Sequence, residues 1–296
     1  MKSHLLPSSA SEGGIYGLVG CDIPYSLSPV IFRRVFEDLG WPAVYGLFDL
    51  DAPQLTRFLR AAGDCGIRGF NVTQPYKVRI MPLLDGVDQI AESVGAVNTV
   101  VREGRRWIGH NTDVHGIQSV LSPYARVLAG SHAVIIGTGG AARAVAYALA
   151  TRLRASQVTF AVRSAGKGHA LVKKFAALRG QRCSWSSCPL THVALSEYLS
   201  DAGLLVNATP VGGHGFVGRS PLPHGVAIPR SAIVFDLVYR PAQTRLLRDA
   251  SAAGCKRLFG GWGMLVAQAE ESFCLWTGKR FPGNVHKVLL AMENIR

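Results

Sequence analysis

Two residues that can exchange a proton with a substrate end short polar segments in the first half of the chain. Lys77 ends the segment NVTQPYK at 71–77, and Asp113 ends the segment NTD at 111–113. A Gly-rich pattern typical of nucleotide binding follows at 137–143. Hydride transfer to a ketone leaves an alkoxide that must be protonated, so an amine and a carboxylate near a hydride carrier suit that reaction. The combination predicts an oxidoreductase that acts on a carbonyl group or an alcohol.

The Gly-rich pattern reads GTGGAAR, after an apolar stretch at 132–136 and before an Ala-rich segment. A strand, a Gly turn and a helix in this order bind the pyrophosphate of a dinucleotide at the helix N-terminus. Gly137 permits the tight turn, Gly139 lets the backbone approach the phosphates, and Ala142 occupies the helix-packing position. The context on both sides therefore predicts a Rossmann-type domain.

The next predicted strand, at 158–162, ends where such domains select their cofactor. No Asp or Glu occurs from 155 to 170, and Arg163, Ser164 and Lys167 follow the strand. Cations suit the 2′-phosphate of NADP, whereas NAD sites use a carboxylate to bind the ribose hydroxyl. We therefore expect NADP as the cofactor.

Apolar stretches alternate with helical patterns along the chain, as in α/β proteins with parallel sheets. Strands are predicted at 15–19, 67–72, 132–136, 158–162, 204–207 and 233–238, with a hairpin of strands at 96–101 and 105–109. The predicted fold class is α/β with two domains. Residues 1–113 and 261–296 form an α/β substrate domain, and residues 114–260 form a doubly wound parallel-sheet NADP-binding domain.

Local signals place the polar segments on helices. Ser28 is predicted to be an N-cap with Pro29 at the first helical position. Pro75 is predicted to open a helix with Lys77 in its first turn, where the helix dipole favours the neutral amine. Asp113 precedes a helix that begins near Val114, so it could be a simple N-cap.

Composition limits the class of protein. The chain has 296 residues, 48% of them hydrophobic and 17% charged, which fits two domains with substantial cores. The net charge of +13 is carried by scattered cations, which favours a basic surface that attracts small anions over a nucleic-acid site. The sequence contains no run of eighteen apolar residues, so no membrane span is predicted.

The cysteines and histidines indicate the cellular compartment and whether a metal is expected. Six cysteines without a Cys-x-x-Cys pattern, and a start that lacks the apolar stretch of a signal peptide, predict reduced thiols in the cytoplasm. The nine histidines show no metal-binding spacing, so no metal is expected.

Seven signatures, in this order and over nearly the whole chain, resemble the shikimate dehydrogenase family. They are SxSP at 26–29, NVTxPxK at 71–77, GAVNT at 95–99, GxNTDxxG at 109–116, the Gly turn, NATP at 207–210 and GMLxxQ at 263–268. The resemblance implies a two-domain enzyme that interconverts 3-dehydroshikimate and shikimate with NADP(H), with Lys77 and Asp113 as its catalytic pair. The site would lie in the cleft between the domains.

The resemblance also implies residue roles at matching positions. The substrate contacts would be Ser26, Ser28, Thr73, Asn98, Tyr239 and Gln268. The cofactor contacts would be Gly137, Gly139, Gly140, Ala141, Arg163, Ser164, Lys167, Gly261 and Met264. Short neutral side chains suit a substrate with one carboxylate and three hydroxyls. Helices at 263–276 and 284–295 are predicted to return to the first domain, because Gln268 must reach the same substrate as Ser26 and Thr73.

Several alternatives remain open at this point. A relative that acts on quinate or forms aminoshikimate would carry similar motifs, although the serines at 26 and 28 favour shikimate. A non-catalytic NADP-binding sensor would not need both Lys77 and Asp113, and nucleic-acid binding is a third alternative. The enzyme could be a monomer or a homodimer. Ser26 could be only a turn former, and Asn71 is interpreted as a structural residue.

Overall fold

The computed structural model describes residues 13–292, which divide into two compact units. The first unit contains residues 13–112 and Val266–Ala291, and the second contains Asp113–Leu265 together with Met292. Within residues 13–292, no helix is long and apolar enough to cross a membrane.

The first unit is built on a six-stranded mixed sheet with the order β2-β1-β3-β5-β6-β4. The strands are β1 (Ile15–Gly20), β2 (Val44–Asp49), β3 (Ile67–Val72), β4 (Gly86–Val87), β5 (Thr99–Glu103) and β6 (Arg106–His110). Strand β1 is parallel to β2 and β3, whereas β5 is antiparallel to β3 and β6. Because β1 and β3 run in the same direction, the loops that follow them leave the same edge of the sheet.

The helices of this sheet are α1 (Ser28–Asp38), α2 (Gln54–Ala62) and α3 (Gln89–Val94). Helix α1 buries Ile31, Phe32, Val35 and Phe36 along one face. The prediction that Ser28 caps this helix is wrong, because the cap position is Leu27 and Ser28 is already helical. The Ser28 N–H donates to Ser26 Oγ at 3.3 Å, so the preceding serine supplies the oxygen near the helix start.

The predicted helix around Lys77 is also wrong. Residues 74–80 form turns, and a short 3₁₀ helix follows at Met81–Leu83. A helix would need the Lys77 carbonyl as an acceptor for a later residue of the same segment, but this carbonyl accepts from Val97 N at 2.7 Å. The helix-dipole argument for Lys77 therefore does not apply.

The second unit contains a six-stranded sheet with the order β12-β11-β10-β7-β8-β9, in which every neighbouring pair is parallel. The strands are β7 (His132–Ile136), β8 (Gln157–Val162), β9 (Ser184–Pro189), β10 (Leu204–Asn207), β11 (Ile233–Asp236) and β12 (Arg257–Phe259). Its helices are α4 (Asp113–Leu121), α5 (Ala125–Leu128), α6 (Gly140–Thr151), α7 (Ala165–Ala176), α8 (His192–Leu199) and α9 (Arg245–Ala252). The order reverses between β7 and β10, which is the ligand-binding position of doubly wound sheets.

Two predicted strands are shorter than expected. The strand predicted at 233–238 ends at Asp236, where the side chain accepts the Val238 N–H at 3.1 Å and draws the chain away from the sheet. The strand predicted from 96 begins at Thr99.

Two helices close the described chain. Helix α10 spans Trp262–Thr277 and α11 spans Gly283–Ala291. Within the first unit, Trp276 on α10 donates from Nε1 to the Val100 carbonyl at 3.0 Å. Residues 293–295, the last part of the predicted C-terminal helix, lie outside the described residues.

Candidate functional site

Thr73 and Lys77 follow β3 in the first unit and are held by backbone hydrogen bonds. The Thr73 N–H donates to the Val19 carbonyl at 2.9 Å, and the Thr73 carbonyl accepts from Tyr76 N at 2.8 Å. The bond between Lys77 O and Val97 N fixes the half-buried lysine beside the segment that carries Asn98. Three expected site residues thus belong to adjoining segments at the end of the sheet.

Asn98 and Gln268 are in direct contact although they are 170 residues apart in sequence, and both are buried. The Thr112 N–H donates to Asn98 Oδ1 at 2.6 Å, which sets the orientation of the Asn98 amide. Asn98 Nδ2 then donates to Gln268 Oε1 at 3.2 Å. Since the Gln268 oxygen faces Asn98, its Nε2 donor group is directed elsewhere.

Ser26 and Ser28 lie together at the N-terminus of α1. Ser28 is buried, Ser26 is half-buried, and the Ser28 N–H bonds to Ser26 Oγ. Serine hydroxyls at a helix N-terminus can bind a carboxylate without a buried cation.

Asp113 is buried and is the first residue of α4. The residues before it are tied to the segment at 96–98. Asn111 Nδ2 donates to the Ala96 carbonyl at 2.8 Å, and Thr112 N donates to Asn98. Asp113 is assigned to the second unit, whereas Lys77 is assigned to the first.

Sequence reasoning missed three buried hydroxyls that contact one another beneath these amides, those of Thr99, Thr112 and Ser272. Thr99 and Thr112 belong to the signatures at 95–99 and 109–116, but no role was predicted for them. For Ser272 the available signal was its position four residues after Gln268, one helical turn further along α10.

The Gly turn of the second unit fits a dinucleotide pyrophosphate. Gly137 has φ +121°, and a Cβ there would lie 3.1 Å from the Ala208 carbonyl oxygen, so a larger residue is excluded. Gly139 is the N-cap of α6 without a side-chain cap, and a Cβ on it would meet no atom within 4 Å. The first N–H groups of α6, including those of Gly140 and Ala141, have no acceptor within the helix, and such groups bind phosphate oxygens.

Arg143 gives a second observation in favour of an anionic group. Its Nε is buried and has no hydrogen-bond partner among the described residues. Burial also lowers the pKa of the Arg143 guanidinium. Since α6 begins only one turn earlier, an anion at this helix start would lie near a cation that lacks a full set of acceptors.

Arg163, Ser164 and Lys167 follow β8 and are exposed. Ser164 is the N-cap residue of α7, whose first turn contains no acidic side chain. A helix start flanked by two cations and no carboxylate fits a phosphate group better than a bare ribose hydroxyl.

Gly261, one of the two residues expected near the nicotinamide, packs against the loop after β11. A Cβ on Gly261 would lie 2.1 Å from the Leu237 carbonyl oxygen, and the Gly261 N–H donates to the Val238 carbonyl at 3.0 Å. Tyr239 follows in the same loop and is half-buried, and Met264 is buried on α10. Only glycine permits this approach of two backbone segments.

Known proteins match the chain over nearly its full length, and two family models match parts of it. A model described as the shikimate dehydrogenase substrate binding domain matches residues 18–100, and one described as the shikimate 5′-dehydrogenase C-terminal domain matches residues 261–285. The shikimate dehydrogenase (NADP(+)) of Chlorobaculum tepidum is 38% identical over 293 residues, which cover 96% of this chain and 97% of the relative.

Two solved structures are similar in fold. The shikimate 5-dehydrogenase of Thermus thermophilus in complex with NADP(H) and shikimate has a TM-score of 0.79 and 33% identity, with 94% of this chain and 99% of the other covered. The quinate dehydrogenase of Corynebacterium glutamicum in complex with NAD has a TM-score of 0.82 and 29% identity, with 95% of this chain and 99% of the other covered.

Proposed function

The chain belongs to the shikimate dehydrogenase family, and we propose that it catalyses the reversible NADPH-dependent reduction of 3-dehydroshikimate to shikimate. The observation that carries this function is the nearly full-length match to a relative named shikimate dehydrogenase (NADP(+)). The family, fold class and cofactor predicted from the motifs are confirmed by these relatives.

For the substrate, we propose that neutral polar groups bind the carboxylate and hydroxyls of the ring. The residues are Ser26, Ser28, Thr73, Asn98, Tyr239 and Gln268. Support comes from the paired hydroxyls at the start of α1 and from the contact between the buried amides of Asn98 and Gln268. Such groups donate and accept hydrogen bonds at fixed positions, which suits a small ring with several hydroxyls.

NADPH supplies the hydride in this reaction, and the protein must supply a proton. We propose that Lys77 donates the proton to the oxygen that becomes the 3-hydroxyl. Asp113 accepts a hydrogen bond from the neighbouring hydroxyl and so orients the ring. In the reverse direction, the neutral amine of Lys77 takes the proton back.

The proposed cofactor contacts fall into three groups. Backbone groups of Gly137, Gly139, Gly140 and Ala141 would hold the pyrophosphate. The side chains of Arg163, Ser164 and Lys167 would bind the 2′-phosphate, while Gly261 and Met264 would lie near the nicotinamide. The open helix start at α6 and the exposed cations after β8 support these assignments.

We also propose a cytoplasmic location, since all six cysteines are free, as is usual in a reducing compartment. The proposal takes the enzyme as a monomer or a homodimer. Light scattering coupled to size-exclusion chromatography distinguishes these two states.

One assay tests the function and its nearest competitor. The purified protein is offered shikimate or quinate, each with NADP or NAD, and nicotinamide reduction is followed by absorbance. Turnover confined to shikimate with NADP supports the proposal. Preferred turnover of quinate with NAD favours a quinate dehydrogenase, a possibility raised by the similarity to the Corynebacterium glutamicum enzyme. NADP binding without turnover of either substrate would instead indicate a sensor.

A further inference from the structure

Ser272 lies at the centre of a buried polar cluster in the first unit. Its side chain is fully buried on α10, and its Oγ lies 2.9 Å from Asn71 Nδ2, 2.8 Å from Thr99 Oγ1 and 3.1 Å from Thr112 Oγ1. The same Oγ also lies 2.8 Å from the Gln268 carbonyl oxygen. Four polar groups from separate segments of the chain thus meet at one oxygen.

The donor and acceptor capacity of a hydroxyl determines the directions of these bonds. A serine hydroxyl has one proton to donate and two lone pairs to accept. The Gln268 carbonyl can only accept, so it takes the Ser272 proton. Asn71 Nδ2 can only donate, so it uses one lone pair, and a threonine hydroxyl donates to the other. Ser272 Oγ is therefore one of the acceptors for the protons of this cluster, and another is Asn98 Oδ1, which lies 3.4 Å from Thr99 Oγ1 and 3.3 Å from Thr112 Oγ1.

Ser272 is linked to the Asn98 and Gln268 side chains through Thr112, whose N–H donates to Asn98 Oδ1. Asn98 Nδ2 donates to Thr112 Oγ1 at 2.9 Å as well as to Gln268 Oε1. The Thr112 hydroxyl accepts from Asn98, and its own proton can go to Ser272 Oγ at 3.1 Å, to Thr99 Oγ1 at 3.0 Å or to Asn98 Oδ1 at 3.3 Å. The chain of bonds thus runs from the Gln268 amide to the Ser272 hydroxyl, which also binds the Gln268 backbone.

We propose that Ser272 is a positioning residue, whose hydroxyl holds Thr112 and, through Thr112, the Asn98 and Gln268 amides, so that Gln268 presents its Nε2 donor to a hydroxyl of the substrate. This inference rests on the proposed role of Gln268 in binding shikimate. Ser272 itself is not proposed to touch the substrate, since protein groups surround its hydroxyl.

Replacement of Ser272 by alanine tests the inference. Ser272→Ala removes one acceptor that the Asn71 amide and the threonine hydroxyls share, which leaves these donors one another and the Asn98 oxygens as partners, so the cluster must rearrange. We expect the KM for shikimate to rise by about tenfold, the equivalent of one buried hydrogen bond, while the KM for NADP stays within about twofold. Steady-state kinetics with each substrate varied in turn measures this split.

Thr277 provides a matched control on the same helix. Its hydroxyl is also buried and also bonds the carbonyl four residues earlier, that of Phe273, at 2.8 Å. Its other bond is from the Lys279 N–H at 3.1 Å. Thr277→Ala is expected to leave both KM values within about twofold of wild type, which separates positioning from a general loss of a helix hydroxyl.

A second variant covers the case in which Ser272→Ala does not fold. Thr99→Val keeps the side-chain volume but removes another hydroxyl of the cluster, and it is expected to raise the shikimate KM selectively. A folded Ser272→Ala or Thr99→Val enzyme with an unchanged shikimate KM, or with equal changes in both KM values, would overturn the inference alone. A wild-type protein inactive with shikimate and NADP would instead reject the proposed function together with it.

Discussion

The backbone of Lys77 and the residue before Asp113 bond to two consecutive residues, Val97 and Asn98. The Lys77 carbonyl accepts from Val97 N, and Thr112, the residue before Asp113, donates its N–H to Asn98 Oδ1. The bond to Val97 fixes the Lys77 backbone, from which the side chain must bring its amine to the substrate for general acid catalysis. These contacts support the proposed pair without a helix around Lys77.

At the scale of a single residue, replacement of Lys77 by alanine should mainly reduce turnover. The variant lacks the group that protonates the forming hydroxyl, so we expect kcat to fall on the order of 100-fold to 10,000-fold with a smaller change in KM. Steady-state kinetics with shikimate and NADP measures both constants. Lys256→Ala, at an exposed position outside the proposed site, is the control and should keep wild-type kinetics. A Lys77→Ala enzyme with near-normal kcat would exclude the lysine as the proton donor.

Among the elements, the ends of β10 and β11 are joined by a buried side-chain network. Asn207 Nδ2 donates to Asp236 Oδ1 at 2.9 Å, and Thr244 Oγ1 donates to Asp236 Oδ2 at 2.7 Å. Asn207 Oδ1 accepts from both the N–H and the hydroxyl of Thr209, whose methyl group lies beside Gly137. Side chains at the strand ends therefore hold the loops that surround the Gly turn.

Gly261→Ala tests the close approach of two backbone segments in this region. The added Cβ would lie 2.1 Å from the Leu237 carbonyl oxygen, so the segment before α10 must shift. We expect a loss of stability of about 1–3 kcal/mol and a rise of about tenfold in the KM for NADP. Thermal melting and kinetics at varied NADP concentration measure the two effects.

Gly283→Ala is the matched control, because a Cβ at the first residue of α11 would meet no atom within 4 Å. This change should leave the KM for NADP unaltered and should not lower the melting temperature. If Gly261→Ala behaved in the same way, the close packing at Gly261 would have no functional importance.

On the scale of the whole molecule, each unit has its own apolar core, so each can hold a polar network that water does not reach. Phe70, Ile80 and Val100 belong to a core of the first unit, and Val134 and Leu205 belong to one of the second. Asp236 is fully buried in the second unit. Burial raises the pKa of the Asp236 carboxyl to about 6, although the bonds from Thr244, Val238 and Asn207 oppose this shift.

This raised pKa makes the stability of the folded chain depend on pH. Between pH 4 and 6 the folded state keeps a proton on Asp236 that the unfolded chain has lost. The contribution of Asp236 to the free energy of unfolding therefore falls as pH rises through that range. The change amounts to at most about 3 kcal/mol. Asp236→Asn cannot titrate, so the stability advantage of wild type over this variant should be larger at pH 4.5 than at pH 7. Melting temperatures of both proteins at the two pH values measure it, and a constant difference would contradict the prediction.

The sequence by itself determined the features that depend on neighbouring residues. The strands at 67–72, 132–136 and 204–207 have the predicted bounds, because runs of apolar and β-branched residues and the Gly turn are local signals. The order and spacing of the motifs likewise identified the family and NADP.

Only the tertiary structure decided how the proposed substrate residues are held. Lys77 lies in a turn because its carbonyl bonds to Val97, and Ser28 is no cap because Ser26 lies beside its N–H. Ser272 meets Asn71 across 201 residues of sequence, and no local pattern encodes such a contact. Buried polar groups must find partners wherever the fold brings them together, and those partners appear only once distant segments have packed.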